Sequence, residues 1–328
     1  MEKYLEDFID KIRLGEIISY ENLAIIPVFA EGNGHYITLK EAMDLKVLTV
    51  KEVSESGSVP ELKVINRGDK DVLLLDGEEL TGAKQNRVLN TTVLIGAKSE
   101  VIIPVSCTEQ GRWSYTSHEF KDSDVMMAYN IKRKKARSVM MNIRTTGTYR
   151  SNQSEVWDDI EDLSRNAGVH SRTSAMKDVF ESKEKDINDY IKAFNVQVDQ
   201  NGLMVFINGE LMGFDVISSK SAYSVLHPKL IKSSAIEAIL VRKKDKKEPD
   251  ASDAHMFLKD ITTCTYTKHK SVGLGWDIRF EGKQKVGSAL INEDNVIHMA
   301  FFTIDEAEQT GNISGLSRRR SYRRSQGD

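Results

Sequence analysis

Asn90-Thr91-Thr92-Val93-Leu94-Ile95-Gly96-Ala97-Lys98-Ser99-Glu100-Val101-Ile102-Ile103-Pro104-Val105-Ser106 decides the fold class. Two runs rich in β-branched residues, 90–95 and 100–106, flank a Gly-Ala-Lys turn. Nothing helical separates them. The segment therefore reads as successive strands, not as the strand–helix–strand alternation of a parallel α/β sheet.

Upstream, Asp71 to Leu75 is an apolar run that ends at Asp76-Gly77. Val47 to Val50 and Val59 to Val64 read as strands around the hairpin loop Ser54 to Ser58, and Leu23 to Phe29 as a buried strand. Tyr4, Leu5, Phe8, Ile9 and Ile12 recur at helical spacing, and Thr38 is placed to cap a short helix. Downstream, residues 114–152 turn polar and carry the basic run Lys132-Arg133-Lys134-Lys135-Ala136-Arg137. This stretch reads as a long connection, helical around 123–142, with its basic run a solvated face.

Asn152-Gln153-Ser154-Glu155 reads as a capping box for the helix of Val156, Trp157, Ile160 and Leu163, which Gly168 ends. A second helix starts at Ser174, and strands follow over 196–217. Pro228 suits the first position of a helix running to about 241. A charged linker over 243–250, a helix over 252–264 and a hairpin over 276–303 complete the globular part.

The expected class is thus α+β, two β-rich halves with intervening helices. The expected division is an N-terminal β-rich half with a candidate ligand site over 1–113 and a polar basic connection over 114–152. A C-terminal α+β half over 153–304 and an Arg-rich flexible tail over 305–328 follow. A weak internal hairpin repeat is also suggested by Leu75-Asp76-Gly77, Ile207-Asn208-Gly209 and Phe280-Glu281-Gly282, each followed by a second glycine-marked strand.

Composition narrows the function. The 328 residues are 40% hydrophobic and 29% charged, with 46 basic and 49 acidic side chains and a net charge of −3. That excludes a disordered chain, a collagen and a global polycation. Two isolated cysteines, Cys107 and Cys264, fit a reducing compartment and form no zinc-ligand spacing. The histidines are scattered singly, so no metal site is expected. With no long apolar run and an acidic start, the chain reads as a cytoplasmic protein with no membrane partner.

Ligand-type side chains concentrate in residues 76–113. Lys84, Gln85, Asn86 and Arg87 are consecutive donors, two of them cationic, beside the Gly82-Ala83 approach. Asn90 and Gln85 offer hydrogen bonds to a sugar hydroxyl or base edge, and Arg112 adds a planar fork. These six residues suit an anionic ligand such as a phosphorylated nucleoside. Against this stands a solvated turn whose charges pair with Glu78 and Glu79. Glu78 and Glu109 are the candidate general acid and base if the chain is an enzyme, which the sequence leaves open. Cys107 follows apolar strand residues and reads as a core side chain. The tail holds Arg318, Arg319, Arg320, Arg323 and Arg324 around Tyr322, a composition suited to a polyanion or to a partner copy in a homo-oligomer.

Leu75-Asp76-Gly77-Glu78-Glu79-Leu80-Thr81-Gly82-Ala83-Lys84-Gln85-Asn86-Arg87 also carries a resemblance. With Ile103 to Cys107 and Glu109-Gln110-Gly111-Arg112-Trp113, it resembles the ARG and rhodanese-phosphatase-superfamily-associated protein domain. Ser171 to Val179, Asn208 to Asp215 and Val286 to Leu290 agree with that family's later segments, so the likeness covers roughly 20–303. The resemblance implies gene-neighbourhood company with ADP-ribosylglycohydrolases and phosphatases, hence work on ADP-ribose or another NAD-derived nucleotide. It supplies no catalytic residues and names no cofactor. The alternative reading is a nucleic-acid-associated or oligomeric scaffold protein that uses its basic loops and tail.

Overall fold

The computed structural model describes residues 1–54, 58, 60–242 and 247–304. Its first part comprises α1 (Lys3–Asp10), β1 (Arg13–Leu14), β2 (Ile18–Tyr20), β3 (Leu23–Phe29), β4 (Tyr36–Thr38), α2 (Leu39–Asp44), β5 (Leu48–Glu52), β6 (Glu61–Asn66) and β7 (Asp71–Leu74). The middle runs β8 (Glu78–Gly82), β9 (Arg87–Leu89), β10 (Val93–Ile95), β11 (Ser99–Cys107), β12 (Phe120–Met126), α3 (Tyr129–Thr146), α4 (Gln153–Ala167), α5 (Met176–Ser182) and α6 (Glu184–Ala193). It closes with β13 (Gly202–Ile207), β14 (Glu210–Ile217), α7 (Lys220–Leu240), α8 (Ala251–Ile261), β15 (Thr265–Lys270), β16 (Trp276–Gly282), β17 (Lys285–Asn292) and β18 (Asn295–Thr303). The fold is α+β.

The largest sheet has nine strands in the order β1-β3-β13-β14-β18-β17-β16-β15, with β2 also on β3. A six-stranded sheet, β12-β8-β9-β11-β6-β5, carries the motif segment, and β10-β7-β4 forms a third. Only β4 with β7 pairs in parallel among the described strands. β3 joins the large sheet directly: Leu23 pairs with Ile207 and Val28 with Gly202.

Strand alternation gives the large sheet two apolar faces. Leu23, Ile25, Leu203, Val205 and Phe302 pack with Tyr223, Leu226 and Leu230 of α7. Ala24, Ile26, Met204, Phe206 and Phe301 pack on the other face with Leu5 and Ile9 of α1 and Phe257 of α8. Each buried Val, Leu, Ile, Met or Phe among these contributes roughly 1.5–3 kcal/mol. The smaller sheets enclose a separate core of Val50, Leu62, Val64, Leu80, Leu89 and Ile103. Helices α3 to α6 share a fourth core around Ile131, Ile160, Met176 and Phe180.

Several local expectations hold at the level of single bonds. The Thr38 hydroxyl accepts the Glu41 N–H while Glu41 Oε2 accepts the Thr38 N–H, a complete capping box. Asn152 Oδ1 accepts the Glu155 N–H and caps α4, which Gly168 ends at φ +65°, but the Asn152 N–H donates to Ser138 Oγ, so the reciprocal half of the expected capping box is not formed.

Others are corrected. Pro228 lies inside α7, which begins eight residues earlier under a Ser219 cap. The Tyr223, Leu226 and Leu230 face buries enough apolar surface to outweigh the roughly 3 kcal/mol that an interior proline costs. Gly96-Ala97-Lys98 does not close a hairpin, because β10 pairs with β7 while β11 pairs with β6 and β9. Asp76-Gly77 is likewise a corner between sheets, whereas Asn208-Gly209 joins the paired β13 and β14. The basic run is not a solvated face: Lys132, Arg133 and Lys135 are buried on α3.

Candidate functional site

The site starts from the register of β9 against β11. Arg87 is the direct cross-strand partner of Cys107, so both side chains stand on one face of the sheet. Arg87 Nη1 donates to Cys107 Sγ at 2.9 Å and to Gln85 Oε1 at 2.8 Å. Burial pushes the thiol up to about 11, the nearby guanidinium opposing it only in part. Cys107 is therefore a neutral thiol at physiological pH. Its backbone is held by Gln153 at the start of α4, whose amide accepts the Cys107 N–H at 2.7 Å and donates to the Cys107 carbonyl at 3.0 Å.

Beside this pair, the loop after β11 folds back over the β8–β9 turn. The Arg112 fork holds both Glu109 carboxylate oxygens, at 2.9 and 2.6 Å, and reaches the Ala83 carbonyl and Asn86 Oδ1. Glu109 Oε2 accepts the Asn86 N–H, and Gln85 Nε2 donates to the Gln110 carbonyl. Burial works against ionising Glu109, but the Arg112 fork together with hydrogen bonds from Thr173 and the Asn86 backbone keeps the carboxyl below its ordinary value. Two aromatic rings on this loop collect the cations. Lys84 Nζ lies 5.3 Å from the Trp113 ring centre and 5.1 Å from that of Tyr115, and the Arg87 guanidinium lies 5.7 Å from Trp113. Trp113 and Tyr115 are 49% and 46% exposed, so this cluster meets solvent.

Five of the six candidate ligand residues, Lys84, Gln85, Asn86, Arg87 and Arg112, are thereby brought together with Glu109. Asn90 is not among them: it accepts from Ser106 Oγ and donates to the Tyr149 carbonyl. Glu78 is also elsewhere, fully buried 2.7 Å from Lys229 Nζ. The tail arginines, Arg318, Arg319, Arg320, Arg323 and Arg324, lie outside the described residues.

Sequence reasoning passed over Glu52 and Gln153. Glu52, near the end of β5, lies 3.8 Å from Arg87 Nη2 with its side chain almost wholly buried. Nothing local marks it, because β5 reaches the site through β6 and β11. Gln153 carried a signal of another kind, as the residue after a helix cap.

A second polar constellation links the sheets and uses the basic run. Lys135 pairs with Asp76 and donates to the Leu89 carbonyl. Lys132 Nζ lies 2.9 Å from Asp215 Oδ1, which also meets His298 Nε2 at 3.2 Å. His298 Nδ1 shares a hydrogen bond with Thr92, whose hydroxyl accepts the Asp76 N–H. Arg279 binds Asp277 and Thr91 beneath the Tyr149 ring. Its donors and acceptors answer one another, as a structural network requires. An open groove of about 430 Å³ lies on α8 among Asp253, Met256, Phe257, Asp260 and Lys285 and contains none of these residues.

Comparison with known proteins gives one finding. The family model of the ARG and Rhodanese-Phosphatase-superfamily-associated Protein domain matches residues 11–302. No curated protein and no solved structure matches the chain. Among the described residues, no helix is long and apolar enough to cross a membrane.

Proposed function

The chain belongs to the ARG and Rhodanese-Phosphatase-superfamily-associated Protein domain family, and from that premise we propose that it binds a phosphorylated nucleoside of the ADP-ribose type in the cytoplasm. The observation that carries the reading is the Lys84 ammonium on the faces of two half-exposed rings, Trp113 and Tyr115, above the buried Arg87 guanidinium. A ring with a cation over one face can take a nucleobase on its other face by stacking, and the cation answers a phosphate. Glu109 and Arg112 fix the loop that presents the rings, which lowers the ordering cost of binding. The buried neutral thiol of Cys107 supports a binding role over nucleophilic catalysis.

Thermal denaturation against ADP-ribose, NAD, ADP and AMP tests this. The expected result is a saturable rise in melting temperature for at least one of them, lost in Trp113→Ala and weakened in Lys84→Ala. No shift from any of the four would defeat the proposal.

A further inference from the structure

The loop from Arg112 to Glu119 carries three exposed rings, Trp113, Tyr115 and His118. An exposed ring on a slack loop is ordinary, but these rings stand on backbone that is tied down. Arg112 Nη1 donates to the Ser114 carbonyl at 2.8 Å, and the Thr116 N–H donates to the Ala83 carbonyl at 3.0 Å, so both chain neighbours of Tyr115 are held. Ser117 Oγ accepts the Ala83 N–H at 3.0 Å and donates to the Glu119 carbonyl at 2.7 Å. Gly82 lets the loop close on the β8–β9 turn: at φ +122°, a Cβ there would stand 2.5 Å from Ser117 Oγ. Lys84 Nζ lies over both larger rings at nearly equal distance, 5.3 Å from the centre of Trp113 and 5.1 Å from that of Tyr115. The His118 ring leans on Tyr115, 6.1 Å away at 36°.

The order is ring, cation, ring, on a fixed frame open to solvent. A mononucleotide fills only part of it, with one base on one ring, its phosphates on the ammonium and the second ring left in water. A dinucleotide answers the whole order with base, diphosphate, base. Each ring takes a base on the face turned away from Lys84, and the ammonium meets the diphosphate at the middle of the ligand. We infer that the Lys84–Trp113–Tyr115 cluster selects a dinucleotide, with one base on Trp113, the second on Tyr115 beside His118, and the bridging diphosphate on Lys84. The inference rests on the nucleoside reading above and names the ligand class within it. It makes Tyr115 a specificity residue: Trp113 and Lys84 hold any nucleotide, whereas Tyr115 rewards a ligand with a second ring. The pinned backbone holds the two platforms in place before the ligand arrives, which lowers the cost of ordering them.

The test varies the ligand first, so that it does not depend on a variant folding. ADP-ribose and diadenosine diphosphate share the adenosine, the diphosphate, the second ribose and the charge, and only the latter carries a second base. Each is titrated calorimetrically into the full chain. The expected result is at least about tenfold tighter binding of diadenosine diphosphate, beyond the roughly twofold that two identical ends supply. In Tyr115→Ala the gap should shrink to about that twofold, whereas Trp113→Ala should weaken both ligands by about tenfold or more. A wild-type gap of about twofold or less, or a gap that survives Tyr115→Ala, overturns the inference and leaves the nucleotide reading standing. If neither ligand binds, both readings fall. A single-stranded adenylate decamer bound more than about tenfold tighter than diadenosine diphosphate would assign the rings to a nucleic-acid strand and overturn the inference as well.

Discussion

Lys229 sets its ammonium 2.7 Å from Glu78 with both side chains fully buried, tying the central helix α7 to the first residue of β8. The same ammonium lies 2.7 Å from Asp122 on β12. Burial, together with the Asp122 charge, pushes Glu78 above its ordinary value despite Lys229. Glu78 thus acts as a structural anchor between the six-stranded sheet and the helix that covers the nine-stranded one.

Removing that ammonium strands two carboxylates in the interior. Lys229→Met is expected to lose about 3–5 kcal/mol, the range for breaking a buried pair from one side. Urea denaturation at pH 7 measures it. A loss below about 1 kcal/mol would mean that the pair is solvated in solution.

Glu79 points the other way from Glu78 and has a different titration. Burial raises it to about 7 from 4.5, although Thr108 donates to it at 2.6 Å. The folded state then holds a proton that the unfolded state has released between those two values. Stability from this group falls as pH rises from about 4.5 to about 7 and is level beyond, a total of about 3 kcal/mol. Glu79→Gln should flatten that part of the stability profile, read from denaturation midpoints at pH 5, 6, 7 and 8.

Asp215 has the opposite sign. Burial alone would raise it, but Lys132 and His298 hold it at about 2, against an ordinary 3.8. Its contribution is complete above about pH 4 and is lost as pH falls through about 2, some 2 kcal/mol in all. Asp215→Asn should start less stable at neutral pH and lose less on acidification. An unchanged acid limb would count against the Lys132 pairing.

Arg112 bonds to Glu109, Asn86 and the carbonyls of Ala83 and Ser114. Arg112→Lys cannot reproduce the fork. Amide exchange over 83–86 and 109–116 should accelerate by about tenfold or more, as the loss of a charged hydrogen bond of about 1.5–3 kcal/mol implies. The amides of β13 should not change. Equal acceleration in both places would point to global unfolding.

The candidate site is legible in the sequence only where its parts are local. Gln85, Asn86 and Arg87 meet Glu109 and Arg112 because β9 and β11 are neighbours, and the motif itself spans both. Glu78 and Asn90 leave the group for a plain reason: side chains alternate along a strand, so Glu78 turns to α7 while Glu79 turns to Thr108. Glu52 and Lys229 come from distant positions, and no local pattern marks them. The same division runs through the fold. Thr38, Asn152 and Gly168 end helices by bonds within a few residues and are readable. The burial of Lys132 and Lys135 depends on Asp215 and Asp76, which only the folded chain brings to α3.

The pairing of β3 with β13 has a consequence for synthesis. A ribosome making this chain releases Leu23 to Phe29 long before Gly202 to Ile207 exist. At about 5–20 residues per second, that wait is roughly ten to forty seconds. Throughout it, a nearly uninterrupted apolar strand, Leu-Ala-Ile-Ile-Pro-Val-Phe, has no native partner on its β13 edge. The nascent chain is therefore exposed to self-association along β3, and holdase chaperones should engage it there.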